Sequence, residues 1–192
     1  MFITFRLANS ISVEVLQQLR TEAEIIEANL INISDPKERD EQVYQEQRRF
    51  FSKWDTALNM AQSGYFWLRD PLIAQLLTES LQYRDGKVYD LIAYCIMPNH
   101  VHVVYTPLPK SNGDYHAISA IMHSLKRYTA RESNLLLGRK GQFWQHENYD
   151  HVVRDETELG RIIRYILNNP VKAGLAEHWK DWEWSYWSVE QS

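Results

Sequence analysis

Two histidines, His100 and His102, lie two residues apart in an apolar segment of strand character, and they constrain the fold more than any other feature. A strand directs alternate side chains to the same face, so both imidazoles point one way while the valines beside them point the other. A short connection at 97–99 joins this segment to a second apolar run at 88–96, which predicts a β-hairpin. The hairpin is expected to bury one face and to present two nitrogen ligands, half of a metal site, on the other.

The remaining periodicities predict an α+β fold. Residues 2–7 and 143–153 have strand character, and helical spacing of apolar residues predicts helices that begin at Ser12, Asp70, 114–118 and Asp155. The order strand, helix, strand, strand, helix, strand, followed by one more helix, is typical of a ferredoxin-like antiparallel sheet with helices packed on it.

The length of 192 residues favours a single domain over 1–192. A charged, glycine-free stretch that follows Asp35-Pro36 predicts a helical insertion at about 35–62. No apolar run approaches the ~18 residues that a membrane span requires, so no membrane partner and no export are expected. Cys95, the only cysteine, cannot form an internal disulfide and favours a reducing, cytoplasmic location.

Charge is unevenly distributed along the sequence. The formal net charge of -4 argues against a nucleic-acid partner, but residues 124–140 carry five basic groups and one acidic group. A solvated helix face is one explanation of this cluster. The other is that Lys126, Arg127 and Arg131 contact phosphates, the usual source of salt-dependent affinity for nucleic acids.

The helix that begins at Asp155 carries Arg161, Tyr165 and Asn169 at intervals of four residues, so the three form one row. A tyrosine in such a row can attack a phosphorus and form a covalent phosphotyrosine when a nearby cation polarises the phosphoryl group. Asn169 can offer an amide oxygen to that cation. An ordinary boundary tyrosine, and an asparagine that ends a helix before Pro170, are the alternative explanations.

Several motifs taken together resemble the single-tyrosine HUH transposases, and among these the REP-associated tyrosine transposases. The resemblance extends from Phe2 to Ser185. It rests on Met-Pro-Asn-His-Val-His at 97–102, Phe-Trp-Gln at 143–145, the run 164–175 that contains Asn-Asn-Pro-Val-Lys-Ala-Gly, and Asp-Trp-Glu-Trp-Ser at 181–185.

The resemblance implies the HUH endonuclease fold and an enzyme that binds single-stranded or hairpin DNA such as REP elements. It implies that one strand is cut and that the 5′ phosphate is held on Tyr165 before DNA is rejoined, as in transposition and recombination. His100 and His102 match the metal-binding pair, and Asn169 occupies a position where the family often has glutamine. The resemblance implies that the metal ion is Mg²⁺ or Mn²⁺ and that the protein is a monomer or homodimer. The predicted DNA contacts are Lys126, Arg127, Arg131 and Arg161.

Three alternatives stay open at the level of sequence. Tyr128, flanked by basic residues, is a rival nucleophile. Glu132 is an alternative to Asn169 as the third metal ligand. It can also be the carboxylate ligand of a two-histidine iron oxygenase. The simpler explanation is that Glu132 pairs with a nearby arginine within the protein. Finally, the chain can be a hairpin-DNA-binding module that retains the fold without cutting.

Overall fold

A computed structural model describes residues 1–61 and 64–188 of the chain. It divides into two compact units. The first comprises Met1–Ala8 and Tyr65–Ser192, and the second comprises Asn9–Gly64. The first unit contains the sheet and the predicted site residues.

The first unit is built on a five-stranded antiparallel sheet. Its strands, in chain order, are β1 (Phe2–Arg6), β2 (Tyr89–Ile96), β3 (His100–Pro107), β4 (Tyr149–His151) and β5 (Ser185–Trp187). The spatial order is β4-β1-β3-β2-β5, so the first strand of the chain lies between β4 and β3. The first four strands therefore have the ferredoxin-like arrangement, and the α+β prediction is confirmed.

Strands β2 and β3 form the predicted hairpin. Their connection is closed by a hydrogen bond from the Met97 N–H to the His100 carbonyl at 2.8 Å, and the Asn99 carbonyl accepts from Leu7 N–H at 2.9 Å. On β1, Thr4 pairs with His102 and Arg6 with His100, which places these side chains on one face of the sheet.

The opposite face of the sheet is covered by two helices, α3 (Pro71–Arg84) and α4 (Ile118–Leu136). Asp70 caps the first of them by accepting from Leu72 N–H, and Pro71 suits its first turn. Both helices contribute leucine and isoleucine side chains to one apolar core with the sheet. Its members include Ile3, Phe5, Ile73, Leu77, Leu81, Val101, Val103, Tyr105, Ile121, Met122 and Leu125.

The histidine face of the sheet is where α5 (Glu156–Leu167) packs, mainly against β2, and it is followed by the short helix α6 (Asn169–Lys172). Beyond α6 the chain returns to the sheet. Trp182 donates its indole N–H to the Ile96 carbonyl at 2.9 Å, and the Trp184 carbonyl accepts from Ile96 N–H at 2.9 Å before β5 begins.

The second unit is a pair of helices, α1 (Val13–Ile31) and α2 (Pro36–Asn59). Ser12 caps α1 and Asp35 caps α2, as the sequence predicts. Lys53 on α2 reaches Glu22 on α1 at 2.5 Å. Gly64 closes the unit with φ of +100°, and a Cβ on it would collide with the backbone carbonyl of Asn9, so only glycine fits there.

One predicted strand is much shorter in the structure. Of residues 143–153 only Tyr149–His151 form a strand, because the Phe143 side chain is buried in the core and Trp144 makes a single bridge to Leu7 before the chain leaves the sheet. The helices among the described residues are all too short or too polar to cross a bilayer. The division into a single domain with an insertion at about 35–62 stays a prediction.

Candidate active site

Two imidazoles converge at the centre of the histidine face. His100 and His102 are both buried, and their Nε2 atoms lie 3.0 Å apart. This is the separation expected of two ligands that each lie about 2.1 Å from one ion and subtend a right angle at it. The rings themselves are nearly perpendicular, with an interplanar angle of 80°. The pair is thus arranged as two ligands of one metal ion would be.

The Nδ1 atom of each ring contacts a neighbouring polar side chain. His100 Nδ1 lies 2.6 Å from Asn99 Oδ1, an atom that can only accept, so Nδ1 carries the proton. His102 Nδ1 lies 2.7 Å from the Thr4 hydroxyl, to which it donates when Nε2 holds a lone pair. In that tautomer each Nε2 atom carries the lone pair with which an imidazole binds a metal ion.

Asn169 completes the group from the start of α6. It is buried, and its side-chain amide nitrogen donates to His102 Nε2 at 2.7 Å. The amide oxygen reaches the same place after a half-turn of the side chain. The structure therefore brings Asn169 to the histidines, and its service as a metal ligand stays a prediction.

Tyr165 is the tyrosine that lies beside the histidine pair. Its half-buried ring lies 5.9 Å from the His102 ring, in an edge-to-face orientation. The Lys172 ammonium is 5.0 Å from the centre of the Tyr165 ring and brings positive charge to the predicted nucleophile. Arg161, one turn earlier on α5, is exposed. A phosphate at this site would meet these cations and the tyrosine together.

A buried contact between a histidine and a carboxylate lies at the beginning of α5. Asp155 caps the helix by accepting from Glu158 N–H at 2.8 Å. Instead of closing a standard capping box, the Glu158 carboxylate accepts from Arg154 N–H at 2.8 Å and contacts His151 Nε2 on β4 at 3.1 Å. The helix that carries Tyr165 is thereby attached to the edge of the sheet. The start of α5 at Asp155 was predicted from the sequence. The contact of Glu158 with His151, and the contacts of Thr4 and Asn99 with the two site histidines, were not predicted.

The rival site residues lie elsewhere. Tyr128 and Glu132 are on α4, which packs on the face of the sheet opposite the histidines. Glu132 contacts the Arg131 guanidinium at 2.5 Å, as expected of an internal partner. Arg127 and Arg131 share that helix, so among the predicted DNA contacts only Arg161 lies on the helix of Tyr165.

Lys126 differs from its basic neighbours because its ammonium is engaged inside the protein. It donates to the His146 carbonyl at 2.9 Å and to Asn148 Oδ1 at 2.7 Å, which ties α4 to the segment that precedes β4. Burial lowers the pKa of Lys126 to about 8, although Glu147 and Asp150 favour the charged form. The structure therefore gives Lys126 an internal role, and its contact with DNA stays a prediction.

The lowered pKa of Lys126 predicts a pH-dependent contribution to stability. Between about 8 and its ordinary value of 10.5 the unfolded chain holds a proton that the folded chain lacks, so raising the pH favours folding. We expect the unfolding free energy of the wild type, relative to Lys126→Met, to rise by about 1 kcal/mol from pH 8 to pH 9.5. Urea denaturation of both proteins measures this, and a constant difference across that range would contradict it.

Comparison with known proteins identifies the family of this chain and agrees with its fold. The family model described as "Transposase IS200 like" matches residues 63–169, more than half of the chain. The matched segment runs from just before α3 to the start of α6, and so contains both histidines, Tyr165 and Asn169. The chain belongs to the IS200-like transposase family.

Two curated relatives carry the more specific description. A putative REP-associated tyrosine transposase of Haemophilus influenzae (strain ATCC 51907 / DSM 11121 / KW20 / Rd) is 31% identical over 103 residues, which are 50% of this chain and 58% of the relative. A REP-associated tyrosine transposase of Escherichia coli (strain K12) is 25% identical over 120 residues, or 58% of this chain and 67% of the relative. The predicted resemblance is confirmed, and the chain spans less than two thirds of the first relative.

A solved structure of a REP-associated tyrosine transposase bound to a REP hairpin has the same fold. It superposes with a TM-score of 0.52 and 18% sequence identity, over 96% of this chain and 73% of that one. The fold class predicted from the sequence is therefore confirmed by comparison as well as by the sheet order.

Proposed function

We propose that this protein is a metal-dependent, single-strand-specific DNA endonuclease and strand transferase that forms a covalent 5′-phosphotyrosine on Tyr165. The observation that carries the proposal is the position of the Tyr165 ring, 5.9 Å from His102, whose Nε2 lies 3.0 Å from that of His100. A nucleophile and a pair of metal ligands thus meet on one face of the sheet.

The proposed reaction transfers a phosphoryl group of DNA to Tyr165 and then to a 3′ hydroxyl. The Tyr165 hydroxyl attacks the phosphorus, an O–P bond to tyrosine forms, and the bond from phosphorus to the 3′ oxygen breaks. The proton lost by tyrosine is balanced by the one that the leaving 3′ oxygen gains. Attack by another 3′ hydroxyl on the phosphotyrosine reverses these changes and joins a new pair of ends.

A divalent ion held by His100 and His102, with Asn169 beside them, would polarise the scissile phosphate. We propose Mg²⁺ or Mn²⁺ as that ion. Two imidazoles suit Mn²⁺ better than Mg²⁺, which prefers oxygen ligands, and the phosphate oxygens of bound DNA supply such ligands in either case. Thr4 and Asn99 hold the rings with Nε2 turned toward the ion.

The names of the relatives point to the DNA that this site would cut. One similar structure is described as bound to a REP hairpin, and two relatives are called REP-associated. We infer that the substrate is single-stranded DNA that carries a hairpin, bound by a monomer or homodimer in the cytoplasm. Arg161 and Lys172 supply positive charge on the catalytic side of the sheet.

A panel of end-labelled hairpin oligonucleotides tests the proposal. With Mn²⁺ or Mg²⁺ we expect a labelled protein band that survives denaturing electrophoresis and a released fragment with a 3′ hydroxyl. A chelator should remove both products. Hairpin binding without any adduct, under either ion, would favour the alternative of a non-cleaving DNA-binding module.

A further inference from the structure

A groove between α3 and α4 lies on the face of the sheet opposite the histidines and plays no part in the chemistry proposed above. Its volume is about 420 Å³, within the range of ~300–1,000 Å³ typical of ligand sites. Two tyrosines are prominent in it. The lining residues are Leu76, Glu79, Ser80, Tyr83, Arg84 and Tyr128.

The two tyrosines are unusually accessible for large aromatic side chains. Tyr83 is 69% exposed and Tyr128 is 43% exposed, one from each helix. A tyrosine buried for packing would hide its ring, whereas these two keep much of their ring surface in solvent. Exposed aromatic rings beside cations are the surface on which unpaired nucleobases stack.

Cations accompany both rings. The Lys87 ammonium lies 3.3 Å from the centre of the Tyr83 ring, and the Arg131 guanidinium lies 5.8 Å from that of Tyr128. Arg84 bridges the two helices, donating to the Ser80 carbonyl at 2.7 Å and to Ser124 Oγ at 3.2 Å. Within the lining Arg84 is accompanied by Glu79, and beside the groove Arg131 contacts Glu132, so charges of both signs surround the two rings.

A buried hydroxyl also lies in this lining. Ser80 is 3% exposed, and among the described residues its Oγ has no hydrogen-bond partner. A buried hydroxyl without a partner costs free energy unless a ligand or water satisfies it. The Ser80 hydroxyl is enclosed and not open to the groove, so the surface that the groove offers to a ligand is that of the two rings and the charged groups beside them.

We propose that the α3–α4 groove binds an unpaired nucleotide of the DNA substrate, at a place separate from the cutting site. Tyr83 and Tyr128 provide the stacking surface, and Lys87 and Arg131 contact the flanking phosphates. The identification of the nucleic acid as DNA rests on the proposed function. The groove explains why the predicted basic cluster lies on α4, away from Tyr165.

Fluorescence anisotropy with a labelled 20-nucleotide oligothymidylate tests this site directly. The double variant Tyr83→Ala/Tyr128→Ala should bind at least about tenfold more weakly than the wild type, because each base–aromatic stack contributes a sizeable share of affinity. Tyr115→Ala, which removes a tyrosine that is 66% exposed outside the groove, is the matched control and should bind normally. Arg131→Ala should reduce the salt dependence of log K by about 0.7.

The same proteins are then crosslinked to oligonucleotides that contain 5-iodouracil, and the attached peptides are identified by mass spectrometry. Crosslinks at Tyr83 or Tyr128 are expected. Unchanged affinity of the double variant, or equal loss of affinity in Tyr115→Ala, would overturn the inference. Adduct formation at Tyr165 on a minimal hairpin should persist in the double variant, so failure of this site and failure of the proposed cutting activity are distinguishable.

Discussion

Replacing Tyr165 with phenylalanine should abolish covalent attachment to DNA and reduce strand cleavage at least about a thousandfold. The substitution removes only the attacking oxygen, and the ring that lies 5.9 Å from His102 remains. Folding and hairpin binding should therefore be preserved. Denaturing electrophoresis of the protein with an end-labelled hairpin measures the adduct, and anisotropy measures the binding.

Tyr128→Phe is the matched control for this prediction. Tyr128 lies on α4, on the opposite face of the sheet from His100 and His102, and phenylalanine keeps its ring, so removal of the hydroxyl should leave adduct formation intact. A labelled adduct that persists in Tyr165→Phe and disappears in Tyr128→Phe would reverse the assignment of the nucleophile. An adduct that persists in both single variants would exclude each of these two tyrosines as the sole nucleophile.

The second large effect concerns the histidine pair. His102→Ala should weaken Mn²⁺ binding more than about a hundredfold and abolish cleavage, because it removes one of two nitrogen ligands whose Nε2 atoms lie 3.0 Å apart. Thr4→Val keeps the ligand but removes the partner of Nδ1, so it should weaken binding by about 10–100-fold. Titration calorimetry with Mn²⁺ measures both, independently of DNA.

His123→Ala provides the control, since His123 is exposed on α4 and faces solvent away from the pair. Equal Mn²⁺ affinity in the wild type and His102→Ala would show that the ion binds elsewhere. A Thr4→Val protein as impaired as His102→Ala would indicate that the hydroxyl, and not the imidazole, controls the site.

The sequence was sufficient for the local parts of this site. Alternation places His100 and His102 on one face whatever the fold. The predicted row on one helix is correct for Arg161 and Tyr165, but that helix ends at Leu167 and Asn169 begins α6. Helix starts at Ser12, Asp35, Asp70 and Asp155 likewise depend on neighbours in the chain and were predicted correctly, and in the structure each of these side chains caps its helix.

What could not be predicted depends on register and packing between distant segments. Thr4 meets His102 because β1 pairs with β3 in one particular register, across 98 residues. The basic residues of α4 could approach Tyr165 only if α4 packed on the histidine face of the sheet. The spacing of apolar residues within one helix does not indicate on which face of the sheet that helix packs. The prediction of a strand over 143–153 was wrong outside 149–151. Phe143 is apolar because its side chain packs in the core, and it is not part of an alternating strand.

Strand β1 lies inside the sheet, between β4 and β3, and this position affects the order of folding. Strands β2 and β3 are separated by three residues and can pair early, whereas β1 must find β3 from the far end of the chain, which is entropically slower. The strand that carries both histidines therefore pairs with β2 before Thr4 arrives to orient His102. An ion that requires the completed site would bind only chains in which β1 has paired with β3. Its binding would therefore stabilise the native state.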